Sequence, residues 1–347
     1  MPSPTPAHAP SPPSSSSHVP APSPGTAAPP AARRLKLVLR PVASLGLLAA
    51  ILLWLEPRTL AAAFSAPEPA WLAAALALSF PQVALSAWRW RLTAARLGSQ
   101  LRFGEALCEY YVATFLNQIL PGGVMGDAAR AWRHARRPRS EAGDATPVGI
   151  TAWHAVLIER ASGQLALLAV VLATLPFSPE LQAASAKLLS ASAGGPSPSL
   201  PLALALLPVL VGIALWRGRR HFARFGNALY QALLAREVFV RQLLASLLIV
   251  ASYVGVYLCC MRMIGIDTAI ATTAPLVPWV LLAMAIPLSV AGWGIREGTA
   301  ALVWTAAGLD PAQGVAISIG YGVVVLLSSL PGALLLRHPV RHATPHG

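Results

Sequence analysis

Three segments of this chain place charge and irregular backbone where the surroundings are apolar. The first is Asn117-Gln118-Ile119-Leu120-Pro121-Gly122-Gly123-Val124-Met125-Gly126-Asp127-Ala128-Ala129-Arg130. The second is Glu159-Arg160, and the third runs from Pro287 through Gly292-Trp293-Gly294 to Arg296-Glu297. Hydrocarbon offers backbone groups no water, so a Pro-Gly-Gly break is tolerated in a membrane only where protein or a wet cavity surrounds it. A helix N-terminus after such a break presents N–H groups and a positive dipole end, which suit a phosphate. Arg130, Arg160 and Arg296 add forked anion recognition, with Asp127, Glu159 and Glu297 as their counter-ions. Asn117, Gly122, Gly123 and these six charged residues are the candidate substrate-binding set. Pro121, Gly126, Pro287, Gly292 and Gly294 are the expected backbone breaks.

The chemistry this set suits is recognition of an anionic group. No Ser/His/Asp arrangement, nucleotide loop or metal-ligand spacing stands out, so neither a catalytic residue nor a cofactor or metal is expected. A helix from Pro147 puts Glu159 about 18 Å along its axis, near mid-bilayer. A charge there costs on the order of 3 kcal/mol. Neighbours at i and i+1 do not face each other on a helix, so Glu159 and Arg160 each need a partner elsewhere. Arg130 or Arg296 would serve Glu159, and Asp127 or Glu297 would serve Arg160. The partners of Asp127 and Arg130 are expected in the opposite half of the chain. The competing reading makes Asp127 a helix cap and the charges a lock on the fold. His154, one turn before Glu159, reads as a packed or interfacial side chain, and Trp88, Trp90 and Trp132 read as interfacial anchors.

The elements that must position these residues are membrane helices. Of 347 residues, 55% are apolar and only 11% charged, against roughly 25% charged in a soluble domain. The net charge of +13 sits in short, almost purely Arg clusters between apolar runs. That is the pattern of loops on an anionic cytoplasmic leaflet, not of a nucleic-acid face. Cys108, Cys259 and Cys260 imply no disulfide framework. The Ala, Pro and Arg bias suggests a GC-rich bacterial genome.

Residues 1–32, nearly all Pro, Ser and Ala, read as a disordered tail. Val42 to Leu55 reads as an uncleaved first helix, in preference to a signal peptide. A second span is expected from about Ala70 to Trp88. Ala106 to Leu120 has Arg clusters on both flanks, so it reads as a re-entrant segment entered from the cytoplasmic side with its tip at Pro121-Gly122-Gly123. Spans from about Pro147 to Leu175 and Leu200 to Trp216 follow. Residues 217–241 form a basic linker that reads either as an amphipathic helix lying on anionic lipid, with Phe222, Phe225, Leu229 and Leu233 at helical spacing, or as an ordinary solvated basic loop. After a span from about Phe239 to Ile264 comes a second broken region, Pro275 to Gly308. A last span, about Ala312 to Leu336, precedes a short tail at 339–347.

The expected architecture is therefore an all-α polytopic membrane protein with about six full spans and two re-entrant broken-helix hairpins. The transmembrane domain covers 33–338. Its halves, about 35–176 and 199–336, start on opposite sides of the membrane, as inverted repeats do. Both termini would be cytoplasmic, in a bacterial inner membrane.

At these residues the chain resembles a known family. NQILPGGVMGDAAR, the ER of IERASGQ, and PLSVAGWGIREG are similar to three signatures of the lysylphosphatidylglycerol synthase transmembrane-region family, also called flippase-like or UPF0104. The similarity spans roughly residues 35–336. It implies a domain that flips or handles a lipid with a polar, often phosphate-bearing headgroup. It also implies site roles for Asn117, Pro121, Gly122, Gly123, Gly126, Asp127, Arg130, Glu159, Arg160, Pro287, Gly292, Gly294, Arg296 and Glu297. Met125 and Trp293 depart from the family pattern and are expected to narrow the cavity. The soluble aminoacyltransferase domain of bifunctional members has no expected counterpart after Arg341.

The resulting expectation is a flippase for an anionic phospholipid or polyprenyl-linked glycolipid. The alternatives are a non-transporting scaffold of an envelope-synthesis enzyme and a membrane glycosyl- or phosphotransferase using Asp127 or Glu159 as base.

Overall fold

The computed structural model describes residues 64–120, 123–136, 148–177, 226, 228–284 and 291–337. The expected tail 1–32, first helix, Leu200–Trp216 span and C-terminal tail lie outside these residues, as do Pro121, Gly122 and Pro287. Among the described residues the protein is all-helical. Its helices are α1 (Pro69–Arg96), α2 (Phe103–Ile119), α3 (Met125–Ala135), α4 (Val148–Thr174), α5 (Arg236–Met263), α6 (Ile270–Thr273), α7 (Val277–Ala283), α8 (Ile295–Ala306) and α9 (Pro311–Arg337). Four of them, α1, α4, α5 and α9, contain stretches long and apolar enough to cross a membrane. Their outward faces are apolar too: Leu243, Leu244, Leu247 and Leu248 of α5 are exposed, while Ala245, Ile249 and Val250 are buried. A helix apolar all round belongs in lipid.

The breaks form where the sequence demands them. Leu120 ends α2 in extended backbone, because the ring of the following Pro121 disfavours helical geometry at the preceding residue. Gly123 then takes φ +60°, a left-handed turn open to glycine at little cost, and α3 runs back beside α2. At the second break Gly292 and Gly294 take φ +84° and +86°, and Ala291 takes φ +52°. A left-handed non-glycine residue costs on the order of 1 kcal/mol and persists only where its surroundings hold it.

Close approach fixes the packing around the first hairpin. A side chain at Gly126 would collide with the backbone carbonyl of Ala113, and one at Gly332 with that of Tyr111. So α3 and α9 both press directly on the α2 backbone. Elsewhere α1 packs along α5, α3 along α4, and α8 along α9, while α7 lies against α4 and α2 against α9. The main apolar core joins α5, α7, α8 and α9 through Tyr257, Met261, Val280, Trp304 and Val324. Of the basic linker, the described part begins at Gly226. Ala228, Ala232 and Leu233 there pack on Ile158, so this end is seated on protein, while Tyr230 faces outward.

Candidate functional site

A buried charge network joins α1, α3 and α4. The Glu159 carboxylate accepts from Arg89 at 2.5 Å, from Arg130 at 3.0 Å and from the Tyr110 hydroxyl at 3.3 Å. Arg130 also donates to Asp127 at 2.9 Å, Arg160 pairs with Asp127, and Arg89 donates to the Ser246 hydroxyl at 2.9 Å. Arg130 lies between the rings of Trp90 and Tyr110, 4.5 Å and 4.4 Å from their centroids. Its Nε and Nη1 have no hydrogen-bond partner among the described residues, and the two ring faces stabilise its charge. Gly163 leaves room for the Arg89 fork, since a Cβ there would stand 3.0 Å from Nη2.

Three guanidinium groups thus meet two carboxylates, leaving one excess positive charge. Isolated burial of that charge would be costly. The excess is relieved at Arg160, whose side chain is 39% exposed where it lines a cavity of about 210 Å³. Both breaks reach this cavity: Asn117, Gln118 and Gly123 line it from the first, Met284, Ala291 and Gly292 from the second. At roughly 10–15 Å³ per water, a volume of about 210 Å³ admits roughly 15–20 waters.

The pairing expected of Glu159 with Arg130 and of Arg160 with Asp127 is present. The expectation that Asp127 and Arg130 reach across to the opposite half is overturned: their partners are each other, Glu159, Arg160 and Asn117. The reason is the turn at Gly123, which folds α3 back against α2 and α4. Nor does Asp127 cap its helix, because it stands inside the first turn of α3.

Arg296 and Glu297 form a separate lock. Both are buried, and Arg296 donates to Glu297 from Nε at 2.9 Å and Nη2 at 2.6 Å. Ser318 of α9 sits between them, accepting from Arg296 and donating to Glu297 at 3.0 Å. Adjacent helix residues rarely face each other; here both side chains swing onto Ser318, at the first turn, where no preceding helical turn obstructs them. Neither residue lines the cavity, which corrects their expected place in its wall.

At each N-terminus expected to offer free N–H groups, one N–H is already taken. Gly126 N–H donates to the Asn117 side chain at 2.8 Å, and Gly294 N–H donates to Glu297 at 2.6 Å. Met125 is exposed, and Trp293 packs on Arg296, 4.9 Å from its guanidinium carbon. Neither lines the cavity, so the expected narrowing does not occur. Among the described residues no three His, Cys, Asp or Glu side chains gather as metal ligands.

Sequence reasoning missed Arg89 and Trp90, read as a span end and an interfacial anchor; both are buried. The signal was present in Trp88-Arg89-Trp90-Arg91. α1 continues to Arg96, so the helix leaves the apolar layer later than its first arginine. Tyr253 and Ser246 of α5, which both line the cavity, were missed for want of any local irregularity. No curated protein and no solved structure matched the chain. A family model described as lysylphosphatidylglycerol synthase TM region matches residues 41–332, most of the chain, and the protein belongs to that family of integral membrane proteins.

Proposed function

We propose that the protein moves an anionic, phosphate-bearing lipid between the leaflets of a bacterial inner membrane. The observation that carries this reading is the excess positive charge presented by Arg160 into a cavity flanked by both helix breaks. A headgroup phosphate there would meet a forked guanidinium in a low-dielectric site, while its tails stay in lipid. Family membership agrees with a lipid-related role. Without a nucleotide loop in the sequence, energy would come from a gradient or from downstream consumption of the lipid.

The transport mechanism follows from an inverted-repeat reading. Helices α1 to α4 correspond to α5 to α9, with the α2–α3 hairpin entered from the cytoplasm and the α7–α8 hairpin from outside. Support comes from paired contacts: α3 lies on α4 as α8 lies on α9, and α2 on α9 as α7 on α4. Rocking of the two halves would expose the cavity to each side in turn. The transmembrane domain would span 33–338 with about six full crossings. Both termini would be cytoplasmic. In this reading the protein is not an enzyme, and an envelope-synthesis enzyme is a candidate partner that consumes its lipid.

The test is a reconstituted scrambling assay with fluorescent phosphatidylglycerol. Acceleration over protein-free vesicles is expected, with Arg160→Gln about tenfold slower, the equivalent of one lost charged hydrogen bond. Absence of accelerated movement for any anionic lipid would overturn the proposal.

A further inference from the structure

The tyrosine hydroxyls around the cavity are of two kinds. Tyr110 donates to Glu159 at 3.3 Å, and Tyr257 donates to the Gly314 carbonyl at 3.4 Å. Tyr253 of α5 and Tyr321 of α9 both line the cavity, and among the described residues neither hydroxyl has a hydrogen-bond partner. Neither oxygen is sealed off in the protein, so each opens onto the cavity.

The surroundings make a free hydroxyl costly. Tyr321 is only 2% exposed. Its ring packs against Tyr257, 5.4 Å between centroids, and lies 5.5 Å from the Arg296 guanidinium carbon. Ile249, Val250, Leu281 and Val325 are part of the same wall. A buried tyrosine hydroxyl ordinarily finds a partner, and one left without it is worse than the phenylalanine that would fill the same space. The partner these two lack must come from the contents of the cavity.

Their positions say what that partner is. The charge that acts most strongly on Tyr253 is Arg160, with Arg89 next, while the first electrostatic neighbours of Tyr321 are Tyr253 and Arg296. Guanidinium, phenol and phenol therefore follow one another from the first half of the chain into the second. An anion held by Arg160 alone would be slow to leave, because a charged hydrogen bond is worth about twice a neutral one. Passage through a protein needs contacts weak enough, or shared among enough sites, to be given up.

We infer that Tyr253 and Tyr321 are the second half's binding residues for the anion. Tyr253 shares the phosphate with Arg160, and Tyr321 takes it as it moves toward the second break. The hydroxyls donate and the phosphate oxygens accept, with no bond or proton transferred. This rests on the headgroup site proposed above.

A hydroxyl kept for a ligand can be removed at a cost to function and none to stability. Phenylalanine variants are therefore followed by unfolding midpoint in mixed micelles, by binding of fluorescent phosphatidylglycerol in detergent, and by its movement in vesicles. Tyr253→Phe and Tyr321→Phe should keep or raise the wild-type midpoint. Tyr253→Phe should weaken binding about fivefold, the equivalent of one neutral hydrogen bond. Tyr321→Phe should bind nearly as the wild type does and move the lipid about fivefold more slowly. Tyr257→Phe has the opposite signature: it loses the bond to Gly314, so its midpoint should fall while binding and movement stay unchanged. Wild-type behaviour in either cavity variant, a lowered midpoint in either, or equal slowing in Tyr257→Phe would overturn the inference. Equal loss of binding in both cavity variants would overturn the order of the two contacts. Displacement of the lipid by inorganic phosphate, weakened in turn by Tyr253→Phe, would give the hydroxyls to a soluble anion and overturn the lipid passage. A wild-type protein that neither binds nor moves the lipid would refute the headgroup site itself, whereas an active wild type with unaltered variants would refute the tyrosines alone.

Discussion

Neutralising Glu159 tests whether the network is held by charge or merely by shape. Its carboxylate is fully buried and accepts three hydrogen bonds, from Arg89, Arg130 and Tyr110. Glu159→Gln leaves three guanidinium groups facing the single carboxylate of Asp127, raising the excess from one positive charge to two. Breaking a buried pair by removing one partner costs about 3–5 kcal/mol. Glutamine keeps one acceptor oxygen, so the low end, about 3 kcal/mol, is expected. Arg89→Met removes a cation and the bond to Ser246 but balances the remaining charges, and should cost about 1–2 kcal/mol. The double variant restores the native excess of one. Its cost should fall below the sum of the single costs by about 1–2 kcal/mol, well outside the roughly 0.5 kcal/mol within which independent sites add. The assay is unfolding of the purified protein in mixed micelles, followed by tryptophan fluorescence. Additive costs, or a Glu159→Gln penalty under about 1 kcal/mol, would refute the electrostatic account.

Other outcomes follow from the same contacts. Trp90→Leu strips one ring from Arg130 and should destabilise by about 2 kcal/mol, read as a lowered unfolding midpoint. Gly126→Ala drives a methyl into the Ala113 carbonyl and should cost at least about 1–3 kcal/mol. Gly104→Ala, with nothing near its added methyl, should be neutral or slightly stabilising in the same melt. Glu297→Gln removes the counter-ion of Arg296 and should lower stability by about 3 kcal/mol. Because Glu297 does not line the cavity, phosphatidylglycerol binding should survive it.

Legibility in the sequence followed from how unusual each residue is in its setting. Glu159 and Arg160 stood out because charge in an apolar run demands a partner, and two of the proposed pairings are present. The end of α2 was legible from Pro121. Arg89 was not, because an arginine near a span end ordinarily marks the interface, and only the packing of α1 on α4 and α5 brings it inside. The choice between near and far partners for Arg130 was equally hidden, since it depends on the hairpin turn and not on any residue type. Glu297 had a readable role that was passed over. It stands three residues after Gly294, the spacing of a carboxylate that caps its own helix, and it does so.

If the two halves are read as repeats, as proposed above, one position sets their charge networks apart. Counted from the first residue of each helix, Gly322 in α9 holds the place of Glu159 in α4. A carboxylate there would have drawn Arg296 as Glu159 draws Arg130. With glycine instead, the Arg296 side chain and the Trp293 ring occupy the space, and Arg296 turns to its own neighbour. One cation against one anion leaves the second lock neutral, buried and away from the cavity. The first half, with three cations against two anions, keeps a charge to spend on a ligand. The second half meets the same cavity mostly with apolar surface, at Leu281, Met284, Ala291 and Val325. In the proposed reading, charge recognition would therefore belong to the first break. In the same reading, the second would offer a headgroup a less charged wall.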